Sequence, residues 1–167
     1  MSKSERPSTQ CPVGRTLERV GDYWTLLILR DAFQGLTRFD QFEKSLGVAP
    51  NILTKRLAGL VESGFLEKHA YNERPPRYEY RLTDRGRDFA PVLTAMLAFG
   101  NRQLAPEGVC GQLVDRDTGL AAEPIMVDRI SGKPITAEAF AYQAGPAAGP
   151  EVLDRVAFIA AKQASAR

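Results

Sequence analysis

The chain has 167 residues, 44% of them hydrophobic and 25% charged, and a formal net charge of +2. That is enough apolar material for one ordinary domain with an appendage, or for two small domains, and it excludes a chain disordered throughout. The longest membrane-like run without a charge, Phe89 to Gly100, falls short of the roughly 20 residues that cross a bilayer.

Met1 to Gln10 carries no apolar stretch of the kind a secretory signal needs. Two cysteines, Cys11 and Cys110, supply neither a disulfide framework nor spaced metal ligands. These bounds predict a cytoplasmic protein with no membrane partner, no metal and no cofactor. The charge is also uneven. Residues 1–105 have a surplus of four positive charges and residues 106–167 a surplus of two negative ones. The front of the chain is therefore suited to an anionic partner.

Residues 1–10 read as a disordered tail. Pro12 then suits the first turn of a helix whose apolar stripe is Val13, Leu17 and Val20. Gly21 ends that helix and Asp22 can cap the next. The second helix, about Tyr23 to Phe33, is apolar on nearly every side and belongs at the centre of a small fold, with Trp24 in the core. A short third helix spans about Arg38 to Leu46, with Phe39 and Phe42 inward and Gly47 at its end. The fourth begins near Pro50. It buries Leu53, Leu57, Leu60 and Val61 and turns Asn51, Lys55, Ala58 and Glu62 the other way, with Thr54 at the border.

After Gly64 the period changes to two. FLEKHAY and RYEYRL predict two strands joined by the turn NERPPR. Tyr78 and Tyr80 are expected to pack this ribbon onto a long fifth helix. That helix is capped by Thr83 and runs to about Leu104, with a local kink at Pro91. Composition shifts at Ala105-Pro106-Glu107-Gly108. Beyond it VDRDTG and VDRISG nearly repeat, each a strand entering a turn, and EVLDRVAFIAAKQ predicts a short terminal helix.

The predicted fold is thus mainly α with a small amount of β. A winged helix-turn-helix at 11–105 is followed by a small β-rich C-terminal extension at 106–167 that ends in a short helix. Three short helices followed by a two-stranded ribbon suit double-stranded DNA, whose major groove admits one helix. In that reading Pro50 stiffens the entry of the fourth helix. Asn51, Thr54 and Lys55 have the hydrogen-bonding and cationic character of base readers. Arg74 and Arg77, bracketing Pro75 and Pro76, can enter a minor groove or straddle phosphates. Arg38 is a further backbone contact.

The order CPV before the first helix, WTLLILR, RFDQF, NILTKRL and PPRYEYRLT resembles the HxlR-type transcriptional regulators, relatives of the MarR-like winged helices, over about residues 11 to 104. The resemblance implies a homodimer on a pseudo-palindromic operator, acting as a repressor or activator, with the first and fifth helices at the dimer interface. The candidates for that interface are Val13, Leu17, Phe89, Leu93, Met96 and Leu97.

The apolar surplus of the fifth helix argues for a partner independently. Cys11 lies at a helix N-terminus with Arg15 one turn on, which favours a thiolate and makes it a candidate redox sensor. The alternative is a small side chain buried between subunits. A small-molecule effector held between the winged helix and the extension is a second expectation. Cys110 reads as incidental.

In the extension Asp115, Thr118, Asp128 and Ser131 stand where the cysteines of a zinc ribbon would, and four such ligands make a poor zinc site. His69, the single histidine, has no partner in reach by sequence, and no nucleophile or phosphate-loop motif is present, so an enzyme is not expected. The competing function is a winged helix used for protein–protein contact. It calls for an apolar or acidic fourth-helix face, which Asn51, Thr54 and Lys55 do not supply.

Overall fold

A computed structural model describes residues 10–165. The expected N-terminal tail lies outside the described residues except for Gln10. Helices α1 (Pro12–Val20), α2 (Tyr23–Phe33), α3 (Phe39–Leu46) and α4 (Pro50–Glu62) precede strands β1 (Leu66–Glu73) and β2 (Pro76–Leu82). Helices α5 (Asp84–Arg87), α6 (Ala90–Gln103) and α7 (Pro150–Ala164) follow.

The helix boundaries follow local chemistry. Pro12 and Pro50 occupy first turns, where a missing N–H costs nothing. The Asp22 carboxylate caps α2 by accepting from the Thr25 amide at 3.2 Å. At the start of α3, Gln41 reaches back to accept from the amides of Thr37 and Arg38 at 2.9 and 3.0 Å. Gly47 ends α3 at φ 59°, a left-handed conformation that a side chain would penalise.

The core lies where α2, α3 and α4 meet under the ribbon. Ile28, Leu29, Phe42, Leu53 and Leu57 are fully buried, and Leu60, Leu66 and Val20 nearly so. Trp24 is half-buried, set edge-on to Tyr23 with ring centroids 5.1 Å apart. One carboxylate is buried with them. Asp31 receives the Arg30 guanidinium on Oδ1 at 2.7 and 2.9 Å, and its Oδ2 has no partner among the described residues.

The strands pair antiparallel from Leu66↔Leu82 to Glu73↔Pro76, leaving Arg74 and Pro75 as the tip. The register slips between Ala70 and Asn72, so Tyr71 forms a bulge. The ribbon gains a third edge from the segment before α3, through an Arg38↔Glu79 bridge and a Tyr80 N–H to Thr37 carbonyl bond of 2.7 Å.

The expected fifth helix is broken in two. Its cap forms as expected, with the Thr83 hydroxyl accepting from the Gly86 amide at 3.0 Å. Where a kink was expected at Pro91, however, the chain ends α5 at Arg87 and restarts at Ala90. A proline in the first turn of α6 has no N–H to continue the ladder from α5. Phe89 occupies the joint, buried edge-on against Phe65 at 5.8 Å.

Beyond Gln103 no helix or strand occurs among the described residues until Pro150. The two expected turns form, but each is closed by a single bridge, Val114↔Ala121 and Val127↔Pro134, and no ladder extends from either. The turns are held by side chains instead. Asp115 accepts from the amides of Asp117 and Thr118 and from the Thr118 hydroxyl at 2.8–3.0 Å. Asp128 accepts from the amide and hydroxyl of Ser131 at 2.8 and 2.6 Å. The terminal helix, expected to be short, is 15 residues long.

Candidate nucleic-acid interface

The second helix of a helix-turn-helix can offer a readable face only if its other face is anchored. Leu53, Leu57 and Leu60 anchor α4. That leaves Pro50, Asn51, Thr54 and Lys55 exposed. Asn51 accepts from the Ile52 amide with Oδ1 at 2.9 Å, so its Nδ2 remains as the donor. The Thr54 hydroxyl donates to the Pro50 carbonyl at 2.8 Å and keeps its lone pairs for accepting. Lys55 makes no ion pair among the described residues. Ile52, 36% exposed, joins this face. An apolar side chain there suits contact with a thymine methyl. The sequence signal for it was its position outside the Leu53-Leu57-Leu60 stripe.

The ribbon carries the second group of cations. Arg74 and Arg77 are exposed at and beside its tip, without an internal ion pair among the described residues. Arg38, expected as a backbone contact, is exposed but also tied internally. Its guanidinium meets Glu79 at 3.2 Å and lies 4.5 Å from the centre of the Tyr71 ring, so it ties the start of α3 to the ribbon instead of projecting alone.

The Tyr71 bulge puts that ring under Arg38. Glu79 also binds Arg81 at 2.8 Å. The Arg81 guanidinium, and after it that of Arg38, hold the Glu79 carboxyl below the usual glutamate range against the opposing effect of desolvation. Lys68 sits 3.8 Å over the Tyr78 ring and stiffens the outer half of the ribbon. Arg38 and Arg77 face a cleft of about 520 Å³ shared with Asp40, Tyr71 and Tyr78.

The two tyrosines divide their roles. Tyr80 packs on the core, and burial raises its phenol pKa, with a smaller contribution from Tyr78. Tyr78 stays exposed under Lys68 and does not pack toward α5 as expected. His69 has a partner after all. Its Nε2 lies 3.0 Å from Glu67, two residues away on the same side of β1.

A second cleft, about 1100 Å³, opens between the α1–α2 corner and α4. Lys55 lines it, and so does Arg56, which is held by Asp22 at 2.8 Å. No residue of the extension lines it, so it is not the effector site expected between winged helix and extension.

Of the residues expected at a dimer interface, Val13, Leu17 and Met96 are exposed, at 66%, 56% and 48%. Leu97 is half-buried and Leu93 packs against the core. Phe89 belongs to the core of its own chain and is unavailable to a partner. Val92 and Phe99, not expected there, join the exposed face of α6. Cys11 is half-buried at the N-cap of α1, where its side chain makes no capping bond. Cys110 is exposed, its sulfur 3.6 Å from Glu107.

Among the described residues no group of histidine, cysteine and acidic side chains could hold a metal ion. No described helix is long and apolar enough to cross a membrane.

Comparison with known proteins places this geometry. The model of the HxlR-like helix-turn-helix family matches residues 19–108. An uncharacterised HTH-type transcriptional regulator of Mycobacterium tuberculosis, Rv3095, is 41% identical over 135 residues, 80% of this chain and 85% of the relative. The solved structure of PA1374, a candidate transcription factor of Pseudomonas aeruginosa, is 49% identical with a TM-score of 0.64. The match covers 87% of this chain and 99% of that one, too much to be the winged helix alone. The reduced form of the redox regulator HypR is 29% identical with a TM-score of 0.53, over 58% of this chain and 99% of HypR.

Proposed function

Because this chain belongs to the HxlR-like helix-turn-helix family of DNA-binding transcriptional regulators, we propose that it acts as a homodimeric repressor on a pseudo-palindromic operator. Asn51, Thr54, Lys55 and Ile52 read base edges in the major groove, Pro50 fixes the approach of α4, and Arg74 and Arg77 hold phosphates or the adjoining minor groove. Arg38 acts mainly by fixing the ribbon against α3.

The observation that carries this reading is the set of exposed cations, Lys55, Arg74 and Arg77, which have no internal ion pair among the described residues. Such charges serve a polyanion better than they serve the fold. A pair of winged helices related by a two-fold axis addresses half-sites about 34–36 Å apart, which one copy cannot do. The exposed faces of α1 (Val13, Leu17) and α6 (Val92, Met96, Phe99) support the pairing.

The switch we favour is chemical modification of Cys11. Its half-buried position at the N-cap of α1 and the similarity to HypR, a redox regulator, support this reading. A small molecule in the cleft between the α1–α2 corner and α4 would act on Lys55 instead. The test is an electrophoretic shift with the gene's own upstream duplex, with and without a thiol oxidant, for the wild type and Cys11→Ser. A specific shift that oxidant abolishes in the wild type alone is expected. Equal affinity for the upstream and a scrambled duplex would overturn the operator reading. An oxidant response that survives Cys11→Ser would overturn the thiol switch.

A further inference from the structure

From Phe99 to Ser165 not one residue is buried. The segment is nonetheless rich in large apolar side chains: Leu120 and Ile125 are each 69% exposed, Met126 56% and Ile130 91%. It is also locally ordered. The Asp115 and Asp128 turns, with Gly119 and Gly132 at φ 71° and 70°, hold defined shapes. Fixing a backbone costs conformational entropy, which burial of apolar surface ordinarily offsets. This segment has the cost without the burial, so it needs a cover.

The size of the deficit says what kind of cover. The chain exposes 12888 Å², whereas a compact monomer of 18.4 kDa exposes roughly 8,200 Å². With a generous allowance of about 2,500 Å² for the terminal residues outside the described range, an excess on the order of 2,000 Å² remains. Obligate homodimers hide about 1,000–2,500 Å² per chain.

Both ends of the segment are stitched to the helices that carry the exposed dimer candidates. Asn101 of α6 donates to the Gly111 carbonyl at 2.9 Å. The Gly149 amide, where α7 begins, donates to the Gln10 side chain beside α1 at 2.6 Å. The segment is apolar with a surplus of two negative charges over residues 106–167, so the DNA that suits α4 does not suit it.

We propose that residues 106–164 form, with α1 and α6, one continuous interface that is covered by a second copy of this chain. This rests on the dimer reading above and extends it to a surface outside the winged helix. Each copy contributes its turns and α7 to the other, so the extension is a dimerisation arm.

The test uses the full chain. The double variant Ile125→Glu/Ile130→Glu alters side chains that touch no core, so its far-UV circular dichroism should match that of the wild type. Its dimer dissociation constant, from sedimentation equilibrium, should rise at least tenfold. Benzoylphenylalanine in place of Ile130 in the purified protein should give, on irradiation, a covalent species of twice the chain mass.

Unchanged dimer affinity in the double variant, or photoproducts of single-chain mass only, would overturn the proposal. Met96→Glu in α6 separates the two readings. If it dissociates the dimer while the extension variant does not, the arm is wrong and the dimer stands. If the wild type itself sediments as a monomer, both fall.

Discussion

Removal of Arg77 tests the electrostatic part of the interface. The side chain is exposed beside the ribbon tip with no internal ion pair among the described residues, so Arg77→Ala deletes one charge without orphaning another. If Arg77 neutralises one phosphate, the slope of log K against log salt concentration becomes shallower by about 0.9. Between 50 and 200 mM salt the wild type should then lose about 3.5-fold more affinity than the variant.

Arg38 is the internal control. Its charge is shared with Glu79 at 3.2 Å and it lies against Tyr71. Arg38→Ala should therefore change the slope by less than half as much, while loosening the ribbon. Fluorescence anisotropy of a labelled upstream duplex at four salt concentrations reads both slopes. An unchanged slope in Arg77→Ala, or equal changes in the two variants, would refute the division of labour between them.

Other outcomes follow from the same geometry. Asn51→Ala or Lys55→Ala should redistribute affinity among duplexes that differ at single base pairs, by about 1–3 kcal/mol at the position each reads; uniform weakening across all duplexes would mean phosphate contact only. In Gly86→Ala the new Cβ would collide with the Phe65 carbonyl and press on Leu82. A cost of about 2 kcal/mol corresponds to a fall of roughly 8–16 °C in the melting temperature of a winged-helix-sized unit. A melt within two or so degrees of wild type would show that the joint relaxes freely.

Hydrogen bonds from Thr118 and from Ser131 hold the carboxyls of Asp115 and Asp128 below the usual aspartate range. Folding of the two turns is therefore supported above the ordinary aspartate pKa of about 3.9. That support is lost only as pH falls through the lower folded values. The Thr118 and Ser131 amide resonances should move with midpoints below 3.9; midpoints at or above it would mean the turns do not depend on those carboxylates.

What could be read in the sequence was local. Pro12, Asp22, Pro50 and Thr83 each announce a helix start through chemistry within four residues, and each start occurs where read. Burial of Leu53, Leu57 and Leu60 follows from period alone, and so does exposure of Asn51, Thr54 and Lys55. What escaped depends on contacts between distant residues or on a change of phase. The Arg38–Glu79 pair joins residues 41 apart, and no local pattern encodes it.

The break between α5 and α6 resets the helical phase. A stripe computed for an unbroken helix therefore put Phe89 outside the core and overlooked Val92 and Phe99. The Glu67–His69 pair was within reach, since residues two apart on a strand share a face. In the extension the repeated turns were legible, but strands were not to be had from arms that close on a single bridge each.

The base of the ribbon and its tip live under different rules. At the base, Thr83 donates to the Gly64 carbonyl at 2.6 Å while capping Gly86, Arg85 holds the Ser63 carbonyl at 2.8 Å, and Gly86 has no room for a methyl group. At the tip, Arg74 and Pro75 touch little beyond one bond from Asn72. On the DNA-binding reading proposed above, descendants of this sequence can lengthen, shorten or re-charge the finger and so reach new flanking DNA, while the knuckle that aims it stays frozen. On the same reading, drift in sequence preference would be channelled into a handful of outward positions.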